Sequence, residues 1–221
     1  MNVKIVNEPF AHILIENSFT KDELKIVHDE LDDLLPSLQS PEHTNSAKIH
    51  SRFGTELQKK NIGKFVDDDT KLVQYAQRFF DIICEKYNLD REQHLSKSLL
   101  SYYKDGDYYK AHKDMCVYSV VTFLCKDNSK FTGGQLSFPK HEYFIEPIDN
   151  TSIIFPSNQI HEVLPINLTD NTKNYGRFSL TTFVDKKPQP TRDIFDPVFL
   201  NEVISKIGSI DFTETEGFVR L

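Results

Sequence analysis

From Leu95 to Val184 the chain is a succession of short segments: LSKSLLSYYK, YYKAHKDM, YSVVTFLC, GQLSFP, EYFIEP, TSIIFP, HEVLPI and YGRFSLTTFV. They are rich in β-branched and aromatic residues, which suit a pleated, half-buried surface, and Gly, Asp, Asn and Pro punctuate them with turn chemistry. This is the pattern of an antiparallel sandwich or jelly roll of about eight strands.

The sequence before this core has a different texture. KIVNEPFAHILIENSF alternates like a short strand or two. Thr20 then has the character of a helix N-cap, and Glu23 three residues on completes a capping box. Leu24, Val27, Leu31 and Leu34/Leu35 recur at helical spacing until Pro36 stops them. Residues 37–66 are polar and without a clear period, which predicts a long loop able to form a lid or groove wall. A second helix is expected from about Asp69 to Tyr87, with Leu72, Tyr75/Ala76, Phe79/Phe80 and Ile83 on one face. The run Asp67-Asp68-Asp69 suits a helix start, where negative charge complements the dipole. A last helix is expected around Pro197 to Ile207, after the polar linker DKKPQPTRD.

The length, 221 residues, suits one domain with a substantial core and is short for two. The expectation is therefore a single domain over 1–221 of α+β, mainly β, class. In it, 1–94 is helical support and polar loop, 95–185 the jelly-roll core (a double-stranded β-helix), and 186–221 a C-terminal extension. A net charge of −7 gives no electrostatic reason to expect nucleic acid or an anionic membrane as partner. No basic leader with a sustained apolar stretch opens the chain, and no run reaches a membrane span. Cys84, Cys116 and Cys125 make an odd count without CxxC spacing, and read as reduced thiols of a cytoplasmic protein.

Candidate chemistry starts at His112 and Asp114. Residues two apart on a strand share a face, so YYKAHKDM sets an imidazole and a carboxylate side by side, about 7 Å apart along the strand. H-x-D alone is a weak signal. His161 adds weight, because SNQIHEVLPI puts it at the start of a later apolar strand. A His-x-Asp pair and a distant His on neighbouring strands can build the 2-His-1-carboxylate facial triad, which leaves three iron(II) positions open. On YGRFSLTTF, Arg177 and Ser179 share a face. A guanidinium there can grip a carboxylate while the hydroxyl donates another hydrogen bond, or it can form an ion pair within the protein. Tyr108 has the parity of His112 and is a candidate pocket or core aromatic. His12, His28, His43, His50, His94 and His141 lack a ligand-like pattern and read as surface or helix-face residues.

The ordered set Y-Y-x-x-G-x-Y-Y-x-x-H-x-D, T-G-G-Q-L-x-F, F-P-S-N-x-x-H-E-V and G-R-F-S-L resembles the iron/2-oxoglutarate oxygenases of the prolyl 4-hydroxylase type. The resemblance covers roughly 98–185. It implies His112, Asp114 and His161 as iron ligands, Arg177 and Ser179 as binders of the distal carboxylate of 2-oxoglutarate, Tyr102 in the same pocket, and Gly133-Gly134 as a supporting turn. It further implies dioxygen as oxidant, ascorbate as an accessory reductant, and release of succinate and carbon dioxide. A carboxylate at position 114 favours hydroxylation over halogenation, since related halogenases leave that position for chloride. The implied substrate is a prolyl residue of a protein or peptide, with a free amino acid or another small molecule as rival. A nucleic-acid demethylase fits less well, since no second arginine follows Arg177 in its strand and Arg192 lies outside it. Two departures stand out: collagen-type members usually carry Lys where this chain has Arg177, and the stretch from His161 to Arg177 is longer than common. Lys173 within that stretch is a second candidate for the carboxylate. From another class, a non-catalytic jelly-roll binding module would use none of these residues for chemistry.

Overall fold

The computed structural model describes residues 1–41, 43, 48–51, 54–169 and 175–187. Chain order begins with strands β1 (Asn2–Val6) and β2 (His12–Glu16), helix α1 (Lys21–Leu34), then β3 (Lys48–Ser51), β4 (Gly54–Leu57), β5 (Lys59–Lys60) and β6 (Ile62–Val66). Helix α2 (Lys71–Tyr87) leads to β7 (His94–Tyr103), β8 (Tyr108–His112), β9 (Tyr118–Leu124), β10 (Phe131–Gly133), β11 (Leu136–Phe138) and β12 (Tyr143–Ile145). The described strands end with β13 (Thr151–Pro156), β14 (His161–Val163), β15 (Ile166–Leu168) and β16 (Arg177–Lys186).

Local chemistry explains the helices. The Thr20 hydroxyl accepts from the Glu23 amide while the Glu23 carboxylate accepts from the Thr20 amide, the expected capping box. Thr70 caps α2 with its hydroxyl accepting from the Val73 amide, and Asn88 closes it in the left-handed region. Pro36 lies in a short 3-10 turn, Leu35–Ser37, that follows α1.

The strands form an antiparallel jelly roll. A large sheet runs β1-β2-β13-β9-β16-β7-β6, and a smaller one runs β12-β11-β14-β8-β5. Alternation divides the large sheet into two jobs. Leu100, Tyr102, Phe178, Leu180 and Val184 point outward and pack with Val27, Leu31, Leu72, Phe79 and Ile83 of the helices. Residues of opposite parity, among them Tyr103, Val121 and Phe123, point inward to Leu136, Phe138, Phe155 and Val163. Burying one such side chain stabilises the fold by roughly 1.5–3 kcal/mol, so the helices act as a clamp behind the large sheet.

The expected loop at 37–66 is corrected. β6 pairs with β7 as an edge strand of the large sheet, β5 pairs with β8 of the small one, and β3 and β4 form a hairpin. Edge strands with one solvated face carry polar residues, which hid them from a periodicity search. The helix expected at 197–207 and Lys173 lie outside the described residues, as does Arg192. Met1–Lys186 make one compact unit. Among the described residues no helix is long and apolar enough to cross a membrane.

Candidate metal centre and co-substrate pocket

The two expected histidines face each other across a strand pair: His112 at the end of β8 lies directly opposite His161 at the start of β14. Each ring is fixed from behind. His112 Nδ1 lies 2.8 Å from the Lys110 carbonyl and His161 Nδ1 lies 3.0 Å from the Gln159 carbonyl. A carbonyl only accepts, so both Nδ1 atoms carry a proton, and Nε2 is the nitrogen of each ring that can face a metal. The Tyr109 ring stacks on His112 at 3.6 Å and limits its rotation.

Asp114 is not on the strand. β8 ends at His112, and the next two residues are irregular, held by an Asp114 amide bond of 3.2 Å to the Ser157 carbonyl. His112 and Asp114 are neighbours through this turn and not through strand alternation. The turn brings the carboxylate closer than strand spacing allows, with Oδ1 3.6 Å from His112 Nε2 and Oδ2 3.5 Å from His161 Nε2. Both distances are too long for hydrogen bonds. The three ligand atoms lie within 4.8 Å of one another, so they surround a common point. Two imidazole nitrogens and one carboxylate gathered at that point are the donor set of the facial triad, and they fit ferrous iron.

Ser119 holds the carboxylate, its hydroxyl donating to Asp114 Oδ2 at 2.6 Å. That hydroxyl lies 2.8 Å from Ser157, which lies 2.9 Å from the Cys116 thiol. Burial, and then the neighbouring His161, lower the His112 pKa to about 4, against the pull of Asp114. The ring is therefore neutral at ordinary pH and available to a metal.

The same cavity holds Arg177 and Ser179. Arg177 is 1% exposed, with its guanidinium 5.0 Å from the Tyr103 ring and 4.9 Å from the Phe123 ring. One amino group donates to Ser179 Oγ at 3.3 Å, and Nε has no partner. The groups that act on it are Tyr103 and Cys125, not a carboxylate, while burial presses its pKa downward. The internal ion pair that sequence left open is thus not formed among the described residues. A fully buried cation without an anion is costly unless a ligand supplies one. Gly134 makes room for it: with φ of +70°, a Cβ there would lie 3.1 Å from Arg177 Cδ and 2.8 Å from Ile166 Cγ1.

Two aromatic assignments are corrected. Tyr102 faces the helices, packs against Phe178 with the rings tilted, and accepts the Gly176 amide at 3.1 Å; its neighbour Tyr103, paired with Arg177 in register, lines the cavity. Tyr109, not Tyr108, faces the cavity. The register of β8 against β14 shifts between His112 and Tyr109, and such a bulge breaks simple alternation. His12 and His94 are buried rather than superficial, each with Nδ1 on a backbone carbonyl, at Phe10 and Asp90. The wall from 37–66 contributes Gln39, Lys59, Asn61 and Phe65 to the cavity, none of which the sequence singled out. All three cysteines are free thiols.

Comparison with known proteins bears out the resemblance over the β core. Residues 98–185 match the model of the 2OG-Fe(II) oxygenase superfamily. No curated protein matches the sequence. Among solved structures, a Pseudomonas putida prolyl-4-hydroxylase is 18% identical with a TM-score of 0.60, over 80% of this chain and 93% of that one. The 2OG complex of a viral collagen prolyl hydroxylase from Paramecium Bursaria Chlorella virus-1 is 14% identical with a TM-score of 0.55, over 78% and 94% of the two chains. IDO from Bacillus thuringiensis is 14% identical with a TM-score of 0.54, over 80% and 91%. At these identities the likeness is one of fold.

Proposed function

We propose that this chain is an iron(II)- and 2-oxoglutarate-dependent dioxygenase that hydroxylates an unactivated C–H bond of an amino-acid unit, a prolyl residue of a peptide or protein first. The observation that carries the reading is Arg177. It is a buried guanidinium without a carboxylate partner, in the same cavity as two imidazole nitrogens and a carboxylate gathered around one point.

In this reading His112, Asp114 and His161 hold the iron, and Arg177 with Ser179 binds the distal carboxylate of 2-oxoglutarate. Iron(II) with that co-substrate supplies the oxidative decarboxylation to succinate and carbon dioxide and the oxidising power for C–H hydroxylation. The protein supplies geometry. The Lys110 and Gln159 carbonyls fix the Nδ1–H tautomer of each ring and aim both Nε2 atoms at one point, and Ser119 holds the Asp114 carboxylate through Oδ2. Tyr103 stays a neutral phenol, because burial pushes its pKa up to about 12, so it can donate a hydrogen bond without adding charge beside Arg177. Leu136, Val121 and Val163 line the remaining wall and exclude water. The prolyl preference is supported by the two prolyl hydroxylases among the structural neighbours. Its test is aerobic turnover with iron(II), 2-oxoglutarate, ascorbate and proline-containing peptides, followed by succinate release and a gain of one oxygen atom in the peptide. Succinate without any oxidised peptide sinks the prolyl assignment, and no succinate at all sinks the dioxygenase.

A further inference from the structure

Among the described residues three buried side-chain polar atoms have no hydrogen-bond partner: Arg177 Nε, and both Oδ1 and Nδ2 of Asn61. Both residues line the same cavity. Arg177 has a use in the reading above, whereas Asn61 has none. An amide that is 4% exposed, with donor and acceptor both unpaired, is a costly arrangement that a ligand can relieve.

Two residues earlier on the same wall stands Lys59, 5% exposed. Its ammonium lies 5.2 Å from the centre of the Tyr109 ring. A ring face cannot accept three N–H bonds, and Asp114, the one acid that acts on Lys59, already serves the metal centre. Lys59, Asn61, Gly63 and Phe65 are alternate residues on one cavity face, so the wall runs from a charged end to an apolar one. Gly63 lets that wall approach β7, since a Cβ there would meet the Leu100 carbonyl oxygen at 2.9 Å.

We infer that Lys59 and Asn61 form a second carboxylate subsite, which receives the free α-carboxylate of the substrate. This rests on the dioxygenase reading and narrows its substrate class. An ammonium and an amide N–H together suit a carboxylate, and Asn61 Oδ1 suits the N–H or ammonium of the same α-amino acid unit. An internal peptide unit would pair Asn61 but leave the Lys59 charge buried and uncompensated, which disfavours it. The substrate is therefore a free amino acid or the C-terminal residue of a peptide. Its aliphatic part lies along Phe65, Leu99 and Phe183, which line the same cavity.

The test measures succinate formation by the iron(II)- and 2-oxoglutarate-loaded protein with four pairs of probes. These are L-proline, L-leucine, Gly-Pro and Gly-Leu, each as the free acid and as the C-terminal amide. The subsite predicts stimulation by free acids over amides by about tenfold or more, the worth of one charged hydrogen bond. In Lys59→Met the KM for the stimulating acid rises by about the same factor, and Lys59→Arg restores part of it, while the KM for 2-oxoglutarate stays within about threefold. Asn61→Ala raises the same KM and guards against a folding defect in either lysine variant, with a melting curve on each. Stimulation by amino acids alone or by dipeptides alone supports the subsite and identifies the source of the carboxylate. Equal stimulation by acids and amides, no stimulation by any probe, or a KM rise for 2-oxoglutarate in place of the substrate overturns it. Failure of the dioxygenase reading registers separately, as absence of succinate and of any 2-oxoglutarate-dependent melting shift in the unsubstituted protein.

Discussion

Replacing Arg177 by Met separates a ligand-binding guanidinium from a structural one, because the two roles predict opposite signs of stability. The side chain is wholly buried between two rings, held by Ser179 and Tyr103 and, among the described residues, without a carboxylate partner. Burying an ion costs several kcal/mol, and each ring face returns about 0.5–2 kcal/mol. Removing the charge from the ligand-free protein should leave stability unchanged or raise it, by about 1–4 kcal/mol at most. The ligand side behaves differently. A forked grip on a carboxylate makes two charged hydrogen bonds of about 1.5–3 kcal/mol each, so its loss weakens 2-oxoglutarate binding by about 10²–10⁴. At a hundred times the dissociation constant a ligand adds about 2.7 kcal/mol, which for a chain of this size is a melting shift of about 5–11 °C. With Arg177→Met at the same concentration the shift shrinks to below about 2 °C. Thermal melts under nitrogen, with iron(II) present and with or without 2-oxoglutarate, read both effects. A variant that melts about 4 °C or more below the parent without ligand, yet keeps the full ligand shift, would refute the reasoning.

Ser119→Ala removes the 2.6 Å bond to Asp114 and should cost about 10–100-fold in iron(II) affinity with the fold retained, as read by metal titration; unchanged affinity contradicts the positioning role. Gly134→Ala forces a side chain at φ of +70° against Ile166 and Arg177; about 1–3 kcal/mol of stability and part of the 2-oxoglutarate affinity should be lost together, and loss of neither would deny that this turn shapes the pocket. The pH dependence of the metal-free protein follows from His112. Its folded pKa of about 4 lies below the ordinary 6.5, so the unfolded chain binds the proton first, and stability falls as pH drops through the window from 6.5 to 4. Denaturant melts should show that slope in the parent and a flatter one in His112→Gln; equal slopes would remove His112 as the cause.

The sequence made the β core and both helices legible, because each rests on local signals: the Thr20–Glu23 capping box, the helical spacing through Ile83, and short β-branched segments between turn residues. His112, His161 and Arg177 were legible as chemistry because their residue types are unusual on apolar strands. What failed depended on pairing. In Tyr102-Tyr103 only the register opposite Arg177 decides which ring meets the cavity. The bulge that turns Tyr109 inward lies in the relation of β8 to β14. Lys59 and Asn61 sit on a polar stretch whose meaning appears only when β5 and β6 join two different sheets. Ser119 lies in an apolar strand and gains its role only through the turn that carries Asp114.

Anaerobic titration of iron(II) and then 2-oxoglutarate into the metal-free protein tests the central claim most directly, because chelation of the 2-oxo acid gives a visible metal-to-ligand charge-transfer band. The account predicts a band that saturates at one iron per chain, is abolished in Asp114→Ala, and requires more 2-oxoglutarate in Arg177→Met. A parent protein that binds no iron, or binds it and gives no band with 2-oxoglutarate, would contradict it.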